Sequence, residues 1–188
     1  METLESLQNH FLIAMPTMDD PFFARSVTYI CEHNKDGAMG LVINQPVELS
    51  VEDLLTKLEI VVPDNNPSLQ RPVYSGGPLA QDRGFVLHSP DHDWRSSIKL
   101  SDELSITTSK DILEAMGKGV PPEKFLMTLG YAGWDAGQLE EELASNSWLT
   151  IPADPDILFN TPSKERWQKA VAKLGIDLWQ LGPDVGHA

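Results

Sequence analysis

Residues 26–44 constrain the fold more than any other stretch of this chain. Residues 26–33 are rich in Val, Thr, Tyr and Ile, side chains that suit a pleated, half-buried surface. Asn34-Lys35-Asp36-Gly37 then supplies turn chemistry, and residues 38–44 return with a similar apolar character. Two such runs about a short glycine-containing turn predict a β-hairpin. The sheet therefore contains an antiparallel pair, which argues against a doubly wound parallel fold.

Further strands are expected at residues 11–15, 73–75, 84–89, 104–108, 125–129 and 148–151. Four helices are expected, three among these strands and one after the last. Ser50 caps the first, with Asp53 at the capping-box position ahead of Leu54, Leu55 and Leu58. Ser109 caps the second, which carries Ile112, Leu113 and Met116 and ends at Gly117. A third follows Gly137 through Leu139 and Leu143, with Asp135 a candidate cap. In the fourth, Trp167, Ala170, Val171 and Leu174 recur at helical spacing, Gly175 stops the helix, and Lys164, Arg166, Lys169 and Lys173 occupy its outer faces. Residues 63–68 read as a surface loop. Strands and helices are interleaved without strict alternation, the order of an α+β domain.

The chain has 188 residues, enough for one domain with a sizeable core. Its single cysteine, Cys31, permits no intrachain disulfide and no Cys-rich zinc site, and suits a reducing compartment. The first residues carry acids where a secretory signal would carry Lys or Arg, and the apolar run at 11–15 stops at Pro16, too short to span a bilayer. A cytoplasmic protein without membrane insertion is expected. The net charge of −14, from 28 acids and 14 bases, repels phosphate backbones, so direct nucleic-acid binding is not expected.

Familiar catalytic motifs are absent. Gly117-Lys118-Gly119 lacks the Ser or Thr and the upstream glycine of a P-loop. His88 and His92 flank Ser89-Pro90-Asp91, but Pro90 rules out a helical ligand pair, and a strand end running into a polar loop explains the segment, so no metal is assigned. Cys31 and His33, two apart on a strand, would share a face with Cα atoms about 6.6 Å apart. If the turn spans 34–37, Cys31 faces Gly40, leaving space above the sulfur. Cys31 with His33 or His88 is thus a candidate nucleophile and base, set against a small buried cysteine beside a strand-end histidine. Two glycine clusters offer another surface. Gly76-Gly77-Pro78 makes a tight turn, and Gly130-Tyr131-Ala132-Gly133-Trp134 leads through a loop to Gln138 at a helix start. Four acids near that start, Asp135 and residues 140–142, oppose a phosphate there, so an aromatic-lined partner surface is the favoured reading, with core-plugging aromatics as the alternative.

These blocks carry a resemblance. Phe11-Leu12-Ile13-Ala14-Met15-Pro16, residues 26–33, residues 37–46, Gly76-Gly77-Pro78, Arg83-Gly84-Phe85-Val86-Leu87-His88, Gly130-Tyr131-Ala132-Gly133-Trp134 and Gly137-Gln138-Leu139-Glu140 are similar, in order, to the signature blocks of the YqgE/AlgH family. The resemblance runs from near residue 11 to Gly186-His187-Ala188. It implies a compact α+β domain with a strongly curved, branching sheet, which agrees with the reading of the residues as a single domain over 1–188 whose mixed sheet is flanked by about four helices. It brings an association with the regulation of alginate synthesis in pseudomonads and a transcriptional-regulator label, but no catalytic residue, cofactor or substrate. The expectation is a non-enzymatic regulatory or binding protein without a cofactor, acting through a protein or small-molecule partner. A ligand or partner surface would include Gly76, Gly77, Gly130, Tyr131, Gly133, Trp134 and Gln138. The rival is a small hydrolase or transferase using Cys31 with His33 or His88.

Overall fold

The structure is a computed structural model, and it describes residues 6–62, 67–120 and 122–175. Along the chain run β1 (His10–Ala14), β2 (Val27–Asn34), β3 (Gly37–Val42), β4 (Pro46–Ser50), α1 (Val51–Lys57), a 3₁₀ turn (Pro67–Gln70), β5 (Pro72–Ser75), β6 (Leu79–His88), β7 (Ser97–Ser101), β8 (Leu104–Thr107), α2 (Lys110–Gly117), β9 (Phe125–Asp135), α3 (Gln138–Ala144) and β10 (Trp148–Pro152). A π turn (Asp156–Asn160), a second 3₁₀ turn (Ser163–Glu165) and α4 (Arg166–Lys173) follow. The expected loop at 63–68 and the C-terminal end of the resemblance fall largely outside the described residues.

All ten strands join one sheet in the order β10-β1-β2-β3-β9-β6-β8-β7, with β4 and β5 branching off it. The sheet is antiparallel except where β5 runs parallel to β9, Tyr74 beside Thr128 and Ser75 beside Leu129. It is therefore mixed, as expected, and it curls into a half-barrel. The curl is visible in the packing. One core cluster gathers Phe11, Tyr29, Leu41, Phe85, Ile106 and Ile151, strand residues that only the inside of a curled sheet brings together. Trp167, Ala170 and Val171 of α4 and Ile157 and Leu158 of the π turn close this inner face. The outer face is covered twice. α1 and α2 bury Val51, Leu55, Ile112 and Met116 against Val73, Val86 and Met127, whereas α3 seals Leu12, Ile30, Ala132, Trp134 and Trp148. Because both faces are covered, residues 27–31 are buried without a break rather than in alternation.

The hairpin forms between β2 and β3, closing at Asn34 opposite Gly37. Ser50 and Asp53 make the expected reciprocal capping box on α1. The other caps differ. Ser109 precedes α2 but spends its hydroxyl on the Asp111 carboxylate, and the left-handed residue after that helix is Gly119, at φ +80°, not Gly117. α3 is preceded by left-handed Gly137, while Asp135 remains in β9. Gly175 does follow α4 in the left-handed conformation. Arg166, expected on the outer surface of α4, is buried instead, with Nε donating to Thr161 O at 3.0 Å and Nη1 to Ile43 O.

The long strand β9 organises the sheet. Residues 125–129 lie between β6 and β5, and residues 132–135 pair with β3. Gly130, at φ +82°, sits where the partners change. There the backbones meet too closely for side chains. A Cβ on Gly77 would fall 2.0 Å from the Tyr131 carbonyl carbon, one on Gly76 2.4 Å from Gly130 O, and one on Gly130 2.5 Å from Gly77 O. The junction is bonded as well as packed, with Gly76 N–H donating to Leu129 O and Val42 N–H to Gly76 O, both at 2.8 Å.

Candidate functional site

The residues singled out from the sequence divide into three places. Gly76, Gly77 and Gly130 lie in the backbone junction just described, where other backbone atoms occupy the space a side chain would take. The segment Gly130 to Asp135 is strand rather than the expected loop, because β3 and β6 supply its hydrogen-bond partners. Trp134 is only 6% exposed, wedged against Trp148 and Phe23. Its indole N–H donates to Glu142 Oε1 at 3.1 Å, and the Trp148 indole donates to the same oxygen at 2.9 Å. Gln138 Nε2 reaches Glu142 Oε2 at 2.8 Å while its carbonyl accepts from Asp135 N–H. Glu142 thus ties two core indoles to α3, a role the sequence signalled only through the i,i+4 spacing of Gln138 and Glu142. Gly133 and Gln138 remain exposed, and Tyr131 is half-buried with its ring edge-on to Phe85.

Cys31 and His33 do not share a site. The β2–β3 register shifts between Ile30 and Glu32, so Ile30 rather than Cys31 faces Gly40 and Cys31 is the extra residue of a β-bulge. Cys31 and Glu32 consequently line the same cleft, and His33 turns the other way, onto α3. There its Nδ1 accepts from Leu7 N–H at 2.9 Å and its Nε2 bonds the Glu140 carboxylate. His88 is fully buried and equally committed, Nε2 to Thr107 Oγ1 at 2.7 Å and Nδ1 donating to Ser89 O at 2.8 Å. Burial pulls its pKa below the usual histidine value, against the opposing influence of Ser89 O, Asp91 and Asp93. Neither imidazole is available to take a proton from Cys31. Burial, reinforced by the Glu32 carboxylate, pushes the thiol up to about 12, the reverse of an activated nucleophile. Among the described residues no group of three or more His, Cys, Asp or Glu is placed to hold a metal ion, and no helix is long and apolar enough to cross a membrane.

What Cys31 does line is a cleft of about 450 Å³ on the inner face. Met39 of β3, Phe85 of β6, Ile98 and Leu100 of β7 and Ile106 of β8 give it apolar walls, and Glu32 and Arg83 stand at opposite charge on its rim. The Arg83 guanidinium lies 5.5 Å from the centre of the Phe85 ring. Ile98 is 63% exposed, on a strand that, among the described residues, pairs with β8 alone and ends the sheet. Sequence reading missed this cleft because its walls come from five strands whose facing sides are set by pairing between distant segments, and one of them, the first half of β6, shows no apolar alternation.

A curled, mixed sheet branched at a glycine junction, with an amphipathic inner cleft, defines a class of α+β half-barrel domain. A family model described as AlgH-like (DUF179) matches residues 11–179, and the chain belongs to that family. A UPF0301 protein of Idiomarina loihiensis is 66% identical over 185 residues, 98% of this chain and all of the relative. A UPF0301 protein of Vibrio cholerae is 54% identical over 186 residues, 97% of this chain and all of the relative. The solution structure of the AlgH protein from Pseudomonas aeruginosa superposes with a TM-score of 0.79 at 49% identity over the whole of both chains. A Corynebacterium diphtheriae protein shares the fold, with a TM-score of 0.72 at 23% identity over 95% of this chain and 92% of that one.

Proposed function

We propose that this is a regulatory binding protein without catalytic turnover, acting in the cytoplasm, and that it grips an extended segment of a partner protein between the free edge of β7 and the inner cleft. The observation that carries this reading is Ile98, a large apolar side chain left exposed on a terminal strand beside an apolar-walled concavity. An added strand would gain main-chain hydrogen bonds from β7 and seat alternate side chains against Phe85 and Ile106. Lys99 and the register shift between Lys99 and Ser101 discourage indiscriminate pairing of that edge. Of the surface expected from the sequence, Tyr131 enters this reading through its contact with Phe85, and the exposed Gly133 and Gln138 would extend it at the β9–α3 corner.

The test compares proteins captured from native cells by the wild-type chain and by Ile98→Asp. Ile98 is exposed, so the variant should keep its stability within about 0.5 kcal/mol and lose the partner. An unchanged set of captured proteins would sink the proposal. The enzymatic alternative has one observation in its favour, the Cys31 sulfur at the wall of the cleft, and alkylation kinetics decide it as set out below.

A further inference from the structure

A second cavity, of about 190 Å³, shares no wall residue with the inner cleft. It opens where β5, the start of β9, the π turn and α4 converge, and two of its wall residues are Arg71 and Arg166. Arg166 is only 5% exposed, and a buried guanidinium is costly unless its charge is met. It donates to the carbonyls of Thr161 and Ile43 and lies 4.9 Å from the centre of the Tyr74 ring, yet no carboxylate among the described residues pairs with it. Among the described residues Arg71 likewise has no carboxylate partner, and its guanidinium lies 5.2 Å from the centre of the Phe125 ring. In a chain with two acids for every base, this wall carries two bases and no acid. Apart from the Tyr74 phenol the remaining side chains are apolar, with Phe125, Leu158 and Phe159 among them.

We infer that this cavity is a binding site for a monoanionic organic carboxylate, its head between Arg71 and Arg166 and its apolar body against Phe125 and Phe159. Guanidinium groups match carboxylates and phosphates alike through paired N–H donors. The apolar walls decide between them, since they supply few further donors for a phosphate's remaining oxygens. A dianion would also meet more repulsion from a protein of net charge −14.

The experiment titrates the full chain with benzoate, with butyrate and with inorganic phosphate, followed by calorimetry and amide chemical shifts. Arg71→Met is the informative variant, because Arg71 is exposed and the substitution keeps an apolar stem over Phe125. Saturable one-to-one binding of benzoate or butyrate is expected, with shifts confined to the segments around Tyr74, Phe125 and Phe159. In Arg71→Met the affinity should fall by about tenfold or more, with the melting temperature of the unliganded protein unchanged. Three results would overturn the assignment: no saturable binding of either carboxylate at millimolar concentration, binding unaltered by Arg71→Met, or tighter binding of phosphate than of both carboxylates.

Discussion

Cys31 shows how one residue's environment can reverse the role its neighbours suggest. With its pKa pushed up to about 12, the thiol is almost wholly protonated near neutrality. Its alkylation in the folded protein should be slow and should still be accelerating with pH at 9. Fast labelling at pH 6 that is lost in His33→Ala or His88→Ala would revive the enzymatic reading. His88 gives a second test. Its folded pKa lies below the ordinary value of 6.5, so the unfolded chain binds the proton more readily and unfolding takes up a proton as pH falls. The stabilisation is fully present above about 6.5 and is lost as pH drops from there towards the depressed folded value. Urea midpoints measured at pH 7.5 and 5.5 should show this decline, and His88→Gln should flatten it. An equal slope in the variant would assign the effect to other groups. Trp134→Ala removes a core ring and one of the two indole donors to Glu142, and should cost about 3–5 kcal/mol. A cost below about 1 kcal/mol would return Trp134 to the class of surface residues.

Elements were legible where local chemistry dictates them. The β2–β3 hairpin and the capping box of α1 follow from short stretches of chain, and both are present. Ser50→Ala should therefore cost about 1 kcal/mol, read as a shift of the denaturation midpoint without a change in slope. What escaped notice depends on distant partners. β4 and β7 have only five residues each, too few for their alternation to stand out, and they are strands because β5 and β8 lie beside them. The bulge at Cys31 is a mismatch of two strands and leaves no mark on either alone, yet it moves His33 from the inner face to α3. The glycines of β9 read as a loop because a loop and a backbone junction ask for the same residue. For Arg166 a signal did exist: it stands four residues before Ala170, on the apolar stripe of its helix.

At the scale of the molecule, 28 acids against 14 bases leave a net charge of −14, and the geometry of α4 adds to that excess. Lys169 and Lys173 pair with Asp156 and Asp154 at 2.8 and 2.7 Å, and Arg166 is buried, so α4 offers no continuous cationic face. No sequence-selective duplex binding is expected at physiological salt, and a submicromolar, sequence-dependent DNA titration by the isolated protein would contradict that. The sheet also has a consequence for the order in which the molecule is made. Its first strand, β1, is flanked by β2 on one side and on the other by β10, the last strand among the described residues, with Phe11 opposite Ile151. The junction strand β9 likewise emerges long after the β3 and β6 edges it must join. During synthesis from the N-terminus the growing half-barrel therefore carries open edges with nothing yet to pair them. Until the ribosome has delivered residue 152, nascent chains crowded on one messenger can borrow strands from one another.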